Sequence, residues 1–221
     1  MNKKIFNVPL FIWLTFLLSS LIFVLFPQID IFVTNLFYVP NVGFPQKGTF
    51  YESVLFHSIG YVLFFSIAIP LLIWIYNSFT GKNILHVNKK VVLYLMLVLA
   101  IAPGIIVNDI LKDHWGRARP AETTIFGGTK QFTPAFILSD QEGNSFSCGH
   151  ASGAFFLIAL ALLAQKRRAL WMSLAVGYAL AISYVRIAAG GHFFSDVVVS
   201  FFIVYITTLI FYGLFFEEEK R

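Results

Sequence analysis

Apolar residues form long runs along this chain, and short polar segments separate the runs. A run of about 19 apolar residues is long enough to cross a membrane as a helix. No alternation of apolar and polar residues competes with this pattern by predicting half-buried strands. The pattern predicts six membrane-spanning helices, at about 8–27, 54–77, 91–111, 148–164, 169–187 and 197–216.

The predicted fold is all-α: an integral membrane bundle of six transmembrane helices, in which residues 1–221 form a single domain. The fourth run is short for a span, and the fifth is barely long enough. The first run could also be the core of a signal peptide, because Lys3 and Lys4 precede it. It is longer than such cores usually are, and no small-residue cleavage site follows it, so we expect a retained helix.

The composition agrees with a membrane protein. Of the 221 residues, 58% are hydrophobic and only 12% are charged, whereas soluble domains carry about 25% charged residues. The net charge of +5 comes mostly from residues that flank the runs. No basic patch is interleaved with aromatic residues in a soluble region, so nucleic-acid binding is not indicated. The single cysteine, Cys148, cannot form an intramolecular disulfide.

The distribution of Lys and Arg predicts the orientation. With the N-terminus in the cytoplasm, ten of the 16 basic residues lie in cytoplasmic segments, which the positive-inside rule favours. Both termini are then cytoplasmic, and Lys220 and Arg221 count among the cytoplasmic residues. Four of the six basic residues on the other side lie in two short segments where topology does not require them: Lys112, Arg117, Arg119 and Arg186.

Three polar segments meet at this non-cytoplasmic surface. The third run ends directly before KDHWGRARP (112–120), and the fourth begins directly after SFSCGH (145–150). The fifth run ends and the sixth begins within RIAAGGHFFSD (186–196). Topology alone therefore brings segments that are distant in sequence to one depth in the membrane.

The charges in these segments predict an anion site. Several cations with few acids repel one another, and a phosphate would relieve that repulsion, because Arg and Lys side chains suit its oxygens. Helices that begin near Gly149 and His192 are expected to add backbone N–H donors.

Two histidines in the same segments predict phosphoryl transfer. His192 and Asp196 are four residues apart and would share one face of a helix. A carboxylate that binds one imidazole nitrogen leaves the other nitrogen free to act as a nucleophile. His150 would protonate the leaving oxygen and later deprotonate a water molecule.

These residues resemble the signature of the type 2 phosphatidic acid phosphatase superfamily, K-x6-R-P, P-S-G-H and S-R-x5-H-x3-D. The matching positions are Lys112-x6-Arg119-Pro120, Gly149-His150 and Arg186-x5-His192-x3-Asp196. The resemblance mainly covers residues 108–198. It implies that Lys112, Arg119 and Arg186 bind the phosphate, that His192 is the nucleophile oriented by Asp196, and that His150 is the general acid and base. It also implies an extracytoplasmic site and no metal, and no cofactor is expected.

Two positions depart from that signature. Cys148 stands where the family has a serine that binds phosphate, and Val185 stands where the family has a serine before the third-motif arginine. A thiol is a weaker hydrogen-bond donor than a hydroxyl. We still expect Cys148 and Gly149 to contribute to phosphate binding, with help from backbone N–H groups.

Other interpretations of the same residues are weaker. A cysteine-based phosphatase needs an arginine six residues after its cysteine, and that position is Ala154. A metal site built from His150, His192, Asp113 and Asp196 would be opposed by the surrounding cations. His114 and Arg117 lie off the signature positions, and we expect them to contact solvent or headgroups. His57 is expected to make a structural polar contact and His86 to be solvated.

The resulting hypothesis is a lipid phosphatase in the bacterial inner membrane, with its site facing the periplasm and a phosphorylated lipid as substrate. The small size and short loops resemble those of bacterial lipid A phosphatases, and this resemblance implies a lipid A phosphate as the first choice of substrate. Phosphatidylglycerophosphate, undecaprenyl diphosphate and phosphatidic acid remain alternatives, as do a lipid phosphotransferase and a non-enzymatic lipid-phosphate binder. The segment 112–147 is expected to cap the site and 28–53 to form a wall beside it. The sequence leaves the oligomeric state open.

Overall fold

The structure is a computed structural model that describes residues 3–217. Lys220 and Arg221, which the topology prediction counts, lie outside the described residues. The chain is mainly helical, with one short antiparallel ribbon in which β1 (Lys4–Ile5) pairs with β2 (Val8–Pro9). The helices are α1 (Leu10–Leu25), α2 (Gln28–Asn35), α3 (Phe50–Thr80), α4 (Lys89–Leu99), α5 (Gly149–Phe155), α6 (Leu157–Leu163), α7 (Arg168–Ala188) and α8 (Phe194–Tyr212).

Two helices continue beyond their α-helical part as π-helices. Helix α4 runs on through Ala100–Lys112, and α8 runs on through Gly213–Glu217. Pro103 lies in the first of these segments and has no N–H to donate. The Asn108 side chain donates to the Pro103 carbonyl at 2.6 Å, so a side chain serves one of the backbone acceptors there.

Four helical segments of the described chain are long and apolar enough to cross a membrane: Phe50–Thr80, Lys89–Lys112, Arg168–Ala188 and Phe194–Glu217. They correspond to the second, third, fifth and sixth predicted spans. Helices α1 and α2 qualify only as a pair, and they are bent by 84° at the break that includes Pro27. The described residues therefore contain four or five candidate spans.

The fourth predicted span, 148–164, is not confirmed. Its residues form α5 and α6, two helices of seven residues each that are separated at Phe156. At 1.5 Å per residue the pair is roughly 23 Å long, which is shorter than the hydrocarbon core of about 30 Å. Small residues allow this short pair to pack closely against neighbouring helices: Ala151, Gly153 and Ala154 are buried. Helix α5 packs against α3, α7, α8 and the π-helix after α4.

Capping residues define both ends of α3 and the start of α4. The Thr49 hydroxyl accepts the Glu52 N–H at 3.3 Å and starts α3, while Gly81 ends α3 with a left-handed φ of 68°. The Asn88 side chain accepts the Val91 N–H at 3.1 Å at the start of α4. Near the start of α3, the Phe56 ring contacts His150 of α5, and near the end of the π-helix after α4, Asn108 lies against Gly149 of α5.

Candidate active site

Residues from all three polar segments lie at one end of the bundle. Lys112 ends the π-helix after α4, and Cys148 directly precedes α5. Arg186 lies in the last turn of α7, and His192 lies in the short turn between α7 and α8. The Cys148 N–H donates to the carbonyl of Asp196 in the first turn of α8, at 3.4 Å. The convergence that the sequence predicts is therefore present in the fold.

His192 is held at one nitrogen. Its Nδ1 atom lies 2.7 Å from the carbonyl oxygen of Ser145 and 3.6 Å from Oδ2 of Asp196. A carbonyl can only accept, so Nδ1 carries the proton and donates to Ser145. The imidazole is almost completely buried, and its other nitrogen, Nε2, keeps its lone pair. This is the tautomer that a histidine nucleophile needs.

Asp196 is the second anchor of the same site. One of its oxygens, Oδ2, accepts from the Ser145 hydroxyl at 2.6 Å and from the Phe193 N–H at 2.8 Å. The Asp196 carboxylate therefore orients Ser145 as well as His192. The acceptor closest to His192 Nδ1 is the Ser145 carbonyl, which the sequence pattern did not identify.

Electrostatics around His192 favour its charged form. Burial by itself lowers the pKa of the imidazole, but Cys148 and Asp196 raise the pKa by more, so that the pKa lies above the ordinary value. Arg186 acts in the opposite direction. The nucleophile is therefore fully neutral only at a pH above this raised pKa.

Three predicted phosphate ligands, Lys112, Arg119 and Arg186, lie near enough to His150 for their charges to act on it. The charges of Arg186, His192, Lys112 and Arg119 all act on the His150 imidazole. That imidazole lies against the Phe56 ring of α3, with ring centroids 4.1 Å apart and planes tilted by 30°. The guanidinium of Arg186 lies over the same ring, 4.9 Å from its centroid. Phe56 thus holds His150 and Arg186 side by side.

Two arginines have free hydrogen-bonding capacity here. Within residues 3–217, the Nε atoms of Arg119 and Arg186 are buried and have no hydrogen-bond partner. Buried donors of this kind are costly unless something accepts from them. The guanidinium of Arg186 has Glu52 nearby, with Oε1 at 3.5 Å from Nη1. A phosphate oxygen would satisfy donors that the protein leaves open.

Cys148 lies beside the same groups. Its sulfur accepts the Ala151 N–H at 3.4 Å and caps α5, and the thiol is completely buried. It interacts with both His192 and Arg186. Gly149 packs closely against the π-helix after α4, because a Cβ atom there would lie 2.6 Å from Oδ1 of Asn108.

The expectation about helix N-termini needs a correction. At the start of α8, the Phe193 N–H donates to Asp196, and the Ser195 N–H donates to Oδ1 of Asp30 at 2.8 Å. Carboxylates thus occupy donors that the sequence pattern assigned to a phosphate. The first N–H groups of α5 have no acceptor within the helix, as at every helix start.

The expectation for Arg117 is wrong. Its side chain is completely buried and pairs with Asp196 at 2.5 Å and with Asp30 at 2.8 Å. Asp30 was missed altogether, although an acid within an apolar stretch is a recognisable signal for a functional or structural site. Ser145 and Glu52 were also missed, and nothing in their local sequence distinguishes them from surface polar residues.

The remaining histidines lie outside this arrangement. His57 is exposed, and its Nδ1 lies 2.7 Å from the Ser53 carbonyl oxygen. His86 is exposed and interacts with Asn83, while His114 is exposed and interacts with the Asp109 carbonyl. Among residues 3–217, no group of three or more His, Cys, Asp or Glu side chains is arranged to hold a metal ion.

Both predicted loops pack onto the site. The segment 112–147 contributes Arg119 and Ser145, and it folds back on itself through the Trp115 and Phe146 rings, whose centroids are 5.0 Å apart. The segment 28–53 lies against the third motif, because a Cβ atom at Gly190 would lie 2.5 Å from the Phe44 ring.

Known proteins with similar sequences fit this geometry. Residues 91–220 match the PAP2 superfamily. The chain is 34% identical over 204 residues to the lipid A 4'-phosphatase of Francisella tularensis subsp. novicida, which covers 90% of this chain and 91% of that protein. It is 32% identical over 209 residues to the lipid A 4'-phosphatase of Rhizobium leguminosarum, covering 86% and 88% of the two chains. No solved structure matches significantly. The matched region contains all three polar segments, and the chain belongs to the PAP2 superfamily.

Proposed function

We propose that this protein removes a phosphate from lipid A, at the periplasmic face of the bacterial inner membrane, through a phosphohistidine intermediate. Membership of the PAP2 superfamily and relatives named lipid A 4'-phosphatase support a phosphatase that acts on a lipid phosphate. Following those names, we propose the 4'-phosphate as the group that is removed. The observation that carries the mechanism is the hydrogen bond from His192 Nδ1 to Ser145, which leaves Nε2 free.

The proposed topology has six membrane crossings, with α1 and α2 together as the first and α5 and α6 together as the fourth. Both termini then lie in the cytoplasm. The short α5–α6 pair is compatible with a site that lies below the outer surface of the membrane, where a lipid phosphate can reach it. The cytoplasmic end would carry the basic cluster Lys166, Arg167 and Arg168, in agreement with the positive-inside rule.

In the first chemical step, Nε2 of His192 attacks the phosphorus atom and the ester P–O bond breaks. His150 donates a proton to the leaving sugar oxygen. Lys112, Arg119 and Arg186 bind the equatorial oxygens and stabilise the charge that builds up on them. Gly149 and Cys148 would line the phosphate at the start of α5. The positive charge that forms on His192 is stabilised by the Ser145 carbonyl and by Asp196.

In the second step, His150 takes a proton from a water molecule, and the water oxygen attacks the phosphorus atom. The P–N bond breaks, inorganic phosphate forms, and His192 returns to its neutral tautomer. This sequence consumes one water molecule and needs neither a metal nor a cofactor.

The test is phosphate release from purified lipids in detergent, with EDTA present. The panel contains lipid A, phosphatidic acid, phosphatidylglycerophosphate and undecaprenyl diphosphate. The wild type is expected to release phosphate from lipid A, and His192→Ala to release none. His86→Asn is the matched control: His86 is exposed and has a left-handed φ of 54°, which asparagine tolerates.

Each outcome has a defined meaning. Equal release by His192→Ala and the wild type would overturn the phosphohistidine mechanism. Release from another lipid in preference to lipid A would overturn the substrate. Transfer of the phosphate to a second lipid, without free phosphate, would identify a phosphotransferase. Loss of activity in EDTA, with recovery on adding a divalent cation, would contradict the metal-free mechanism.

A further inference from the structure

A buried arginine joins the first motif to the third. The Arg117 guanidinium donates from Nε to the Thr133 carbonyl at 2.8 Å and from Nη2 to Asp30 at 2.8 Å. Its Nη1 donates to Asp196 at 2.5 Å and to the Ser195 hydroxyl at 2.9 Å. Every nitrogen of this side chain therefore has a protein acceptor. Unlike Arg119 and Arg186, Arg117 has no free donor that points to a phosphate role.

The surroundings of Arg117 fix its plane. The guanidinium carbon lies 4.4 Å from the centre of the Phe193 ring and 5.7 Å from that of Phe132. Such contacts are favourable for a cation over the face of an aromatic ring. Asp30 in turn accepts from the Ser195 N–H at 2.8 Å and from the Ser195 hydroxyl at 2.5 Å. The cluster thus ties α2, the 112–147 segment and the start of α8 together.

Arg117 controls both acceptors that face His192 Nδ1. Its side chain holds Oδ1 of Asp196, which leaves Oδ2 directed at Ser145 and His192. Its backbone carbonyl accepts the Ser145 N–H at 2.9 Å, which positions the residue whose own carbonyl accepts from His192. A shift of Arg117 would therefore move both partners of the nucleophile.

The charge of Arg117 is also needed. Asp30 and Asp196 are both completely or almost completely buried, and an uncompensated buried carboxylate is strongly unfavourable. A guanidinium between the two allows Asp196 to stay ionised next to His192. Arginine suits this position better than lysine, because its planar fork reaches both carboxylates at once.

We propose that Arg117 is a positioning residue for the nucleophile His192, and that Asp30 positions Arg117. The inference rests on the proposed function, since it assumes that His192 attacks the phosphorus. Arg117 does not touch the phosphate in this proposal. Its loss should therefore slow the chemical steps and leave phosphate binding intact.

The test compares Arg117→Lys and Asp30→Asn with Arg119→Lys, a change two residues away in the same segment. The assay measures kcat on lipid A and the inhibition constant of inorganic phosphate. Arg117→Lys should lower kcat by about 10- to 100-fold, as loss of a supporting partner of a catalytic group commonly does, with an unchanged inhibition constant. Arg119→Lys should weaken inhibition by phosphate. Arg168→Lys, at the other end of the bundle, should match the wild type.

Asp30→Asn keeps the protein testable if Arg117→Lys fails to fold. It changes the partner of Arg117 and so loosens the hold of Arg117 on Asp196 beside His192. The acid limb of the pH–rate profile should therefore move to lower pH, in addition to a lower kcat. The ionisable groups that face His192 are Cys148, His150, Arg186 and Asp196, and this change leaves all four in place. A purely structural role for Asp30 would not move that limb.

The two proposals fail in different ways. If His192→Ala is inactive but Arg117→Lys and Asp30→Asn keep the wild-type kcat and pH profile, the positioning role is overturned and the phosphohistidine mechanism stands. If Arg117→Lys weakens phosphate inhibition as much as Arg119→Lys does, Arg117 is a phosphate ligand and the inference is wrong. If His192→Ala stays active, the proposed function itself fails.

Discussion

His192 and Ser145 are joined by a hydrogen bond in which Nδ1 of the imidazole donates to the backbone carbonyl at 2.7 Å. The Asp196 carboxylate lies farther from the same nitrogen, at 3.6 Å. A main-chain carbonyl has no titratable proton, so it fixes the tautomer of the neutral imidazole whatever the protonation state of the nearby carboxylate. The carboxylate then has a different task, which is to orient Ser145 and to stabilise positive charge on His192.

This division of roles predicts a moderate effect for Asp196→Asn. Where a carboxylate alone fixes the tautomer of a catalytic histidine, its change to an amide lowers kcat by about 10⁴-fold. Here Ser145 keeps the tautomer, so we expect kcat to fall by about 10- to 100-fold. Steady-state rates on lipid A, compared with those of His192→Ala, provide the measurement. A variant as inactive as His192→Ala would show that Asp196 is the essential partner.

The pH dependence follows from the raised pKa of His192. The nucleophile must be neutral, and an imidazole is neutral above its pKa. We therefore expect kcat/KM to be highest above that pKa and to fall as the pH drops through it, with the midpoint above the ordinary value of about 6.5. Initial rates between about pH 5 and pH 9 check this expectation.

Cys148→Ser tests the origin of that shift. The interaction with Cys148 raises the pKa of His192, and a serine hydroxyl does not ionise in this range. The variant should keep its activity, because a hydroxyl is the better hydrogen-bond donor, and its acid limb should lie at lower pH than in the wild type. If the acid limb of the pH–rate profile stayed at the wild-type position, the raised pKa of His192 would be attributed to Asp196 alone.

Glu52 opposes anion binding at Arg186. Its carboxylate oxygen lies 3.5 Å from Nη1 of Arg186 and competes with a phosphate for the same charge. Glu52→Gln should therefore tighten inhibition by inorganic phosphate by at least about fivefold, because a charge pair at about 4 Å contributes about 1 kcal/mol even in bulk water and this pair is buried. Glu142→Gln, at an exposed position in the 112–147 segment, is the control that separates this local effect from a change in overall charge. Equal inhibition constants in both variants would contradict the competition.

The sequence could predict the signature residues because topology constrains them. Lys112, Cys148, Arg186 and His192 each lie at or near the end of an apolar run, and four of the six predicted runs are helices long enough to span a membrane. The ends of such helices must lie near a membrane surface. The approximate position of the site therefore follows from hydropathy and charge without any knowledge of side-chain contacts.

The sequence could not predict the residues that hold His192 and Asp196 in position. Arg117 contacts Asp30 across 87 residues of chain, and Ser145 contacts Asp196 across 51. Arg117 and Ser145 both lie in a loop without regular periodicity. The bend after α1 was also missed, because hydropathy does not register the 84° change of direction that brings Asp30 to the start of α8. Contacts of this kind depend on loop geometry, which hydrophobic periodicity and amino-acid composition do not predict.

Gly191 provides the most local test of phosphate binding. A Cβ atom at this position would overlap with Nη2 of Arg186, so a single methyl group should push the guanidinium away from its place beside Phe56. Loss of a hydrogen bond to a charged group typically costs at least about tenfold in affinity. We therefore expect Gly191→Ala to weaken inhibition by inorganic phosphate by at least that factor and to raise KM for lipid A.

Gly177→Ala is the matched control for this change. Gly177 lies in α7, as Arg186 does, and a Cβ atom there would meet nothing within 4 Å. Alanine in a helix interior is favourable relative to glycine, so this variant should bind phosphate as the wild type does and should be no less stable to heating. If Gly191→Ala also bound phosphate normally, the guanidinium of Arg186 would not be the anion ligand that its unpaired, buried Nε indicates.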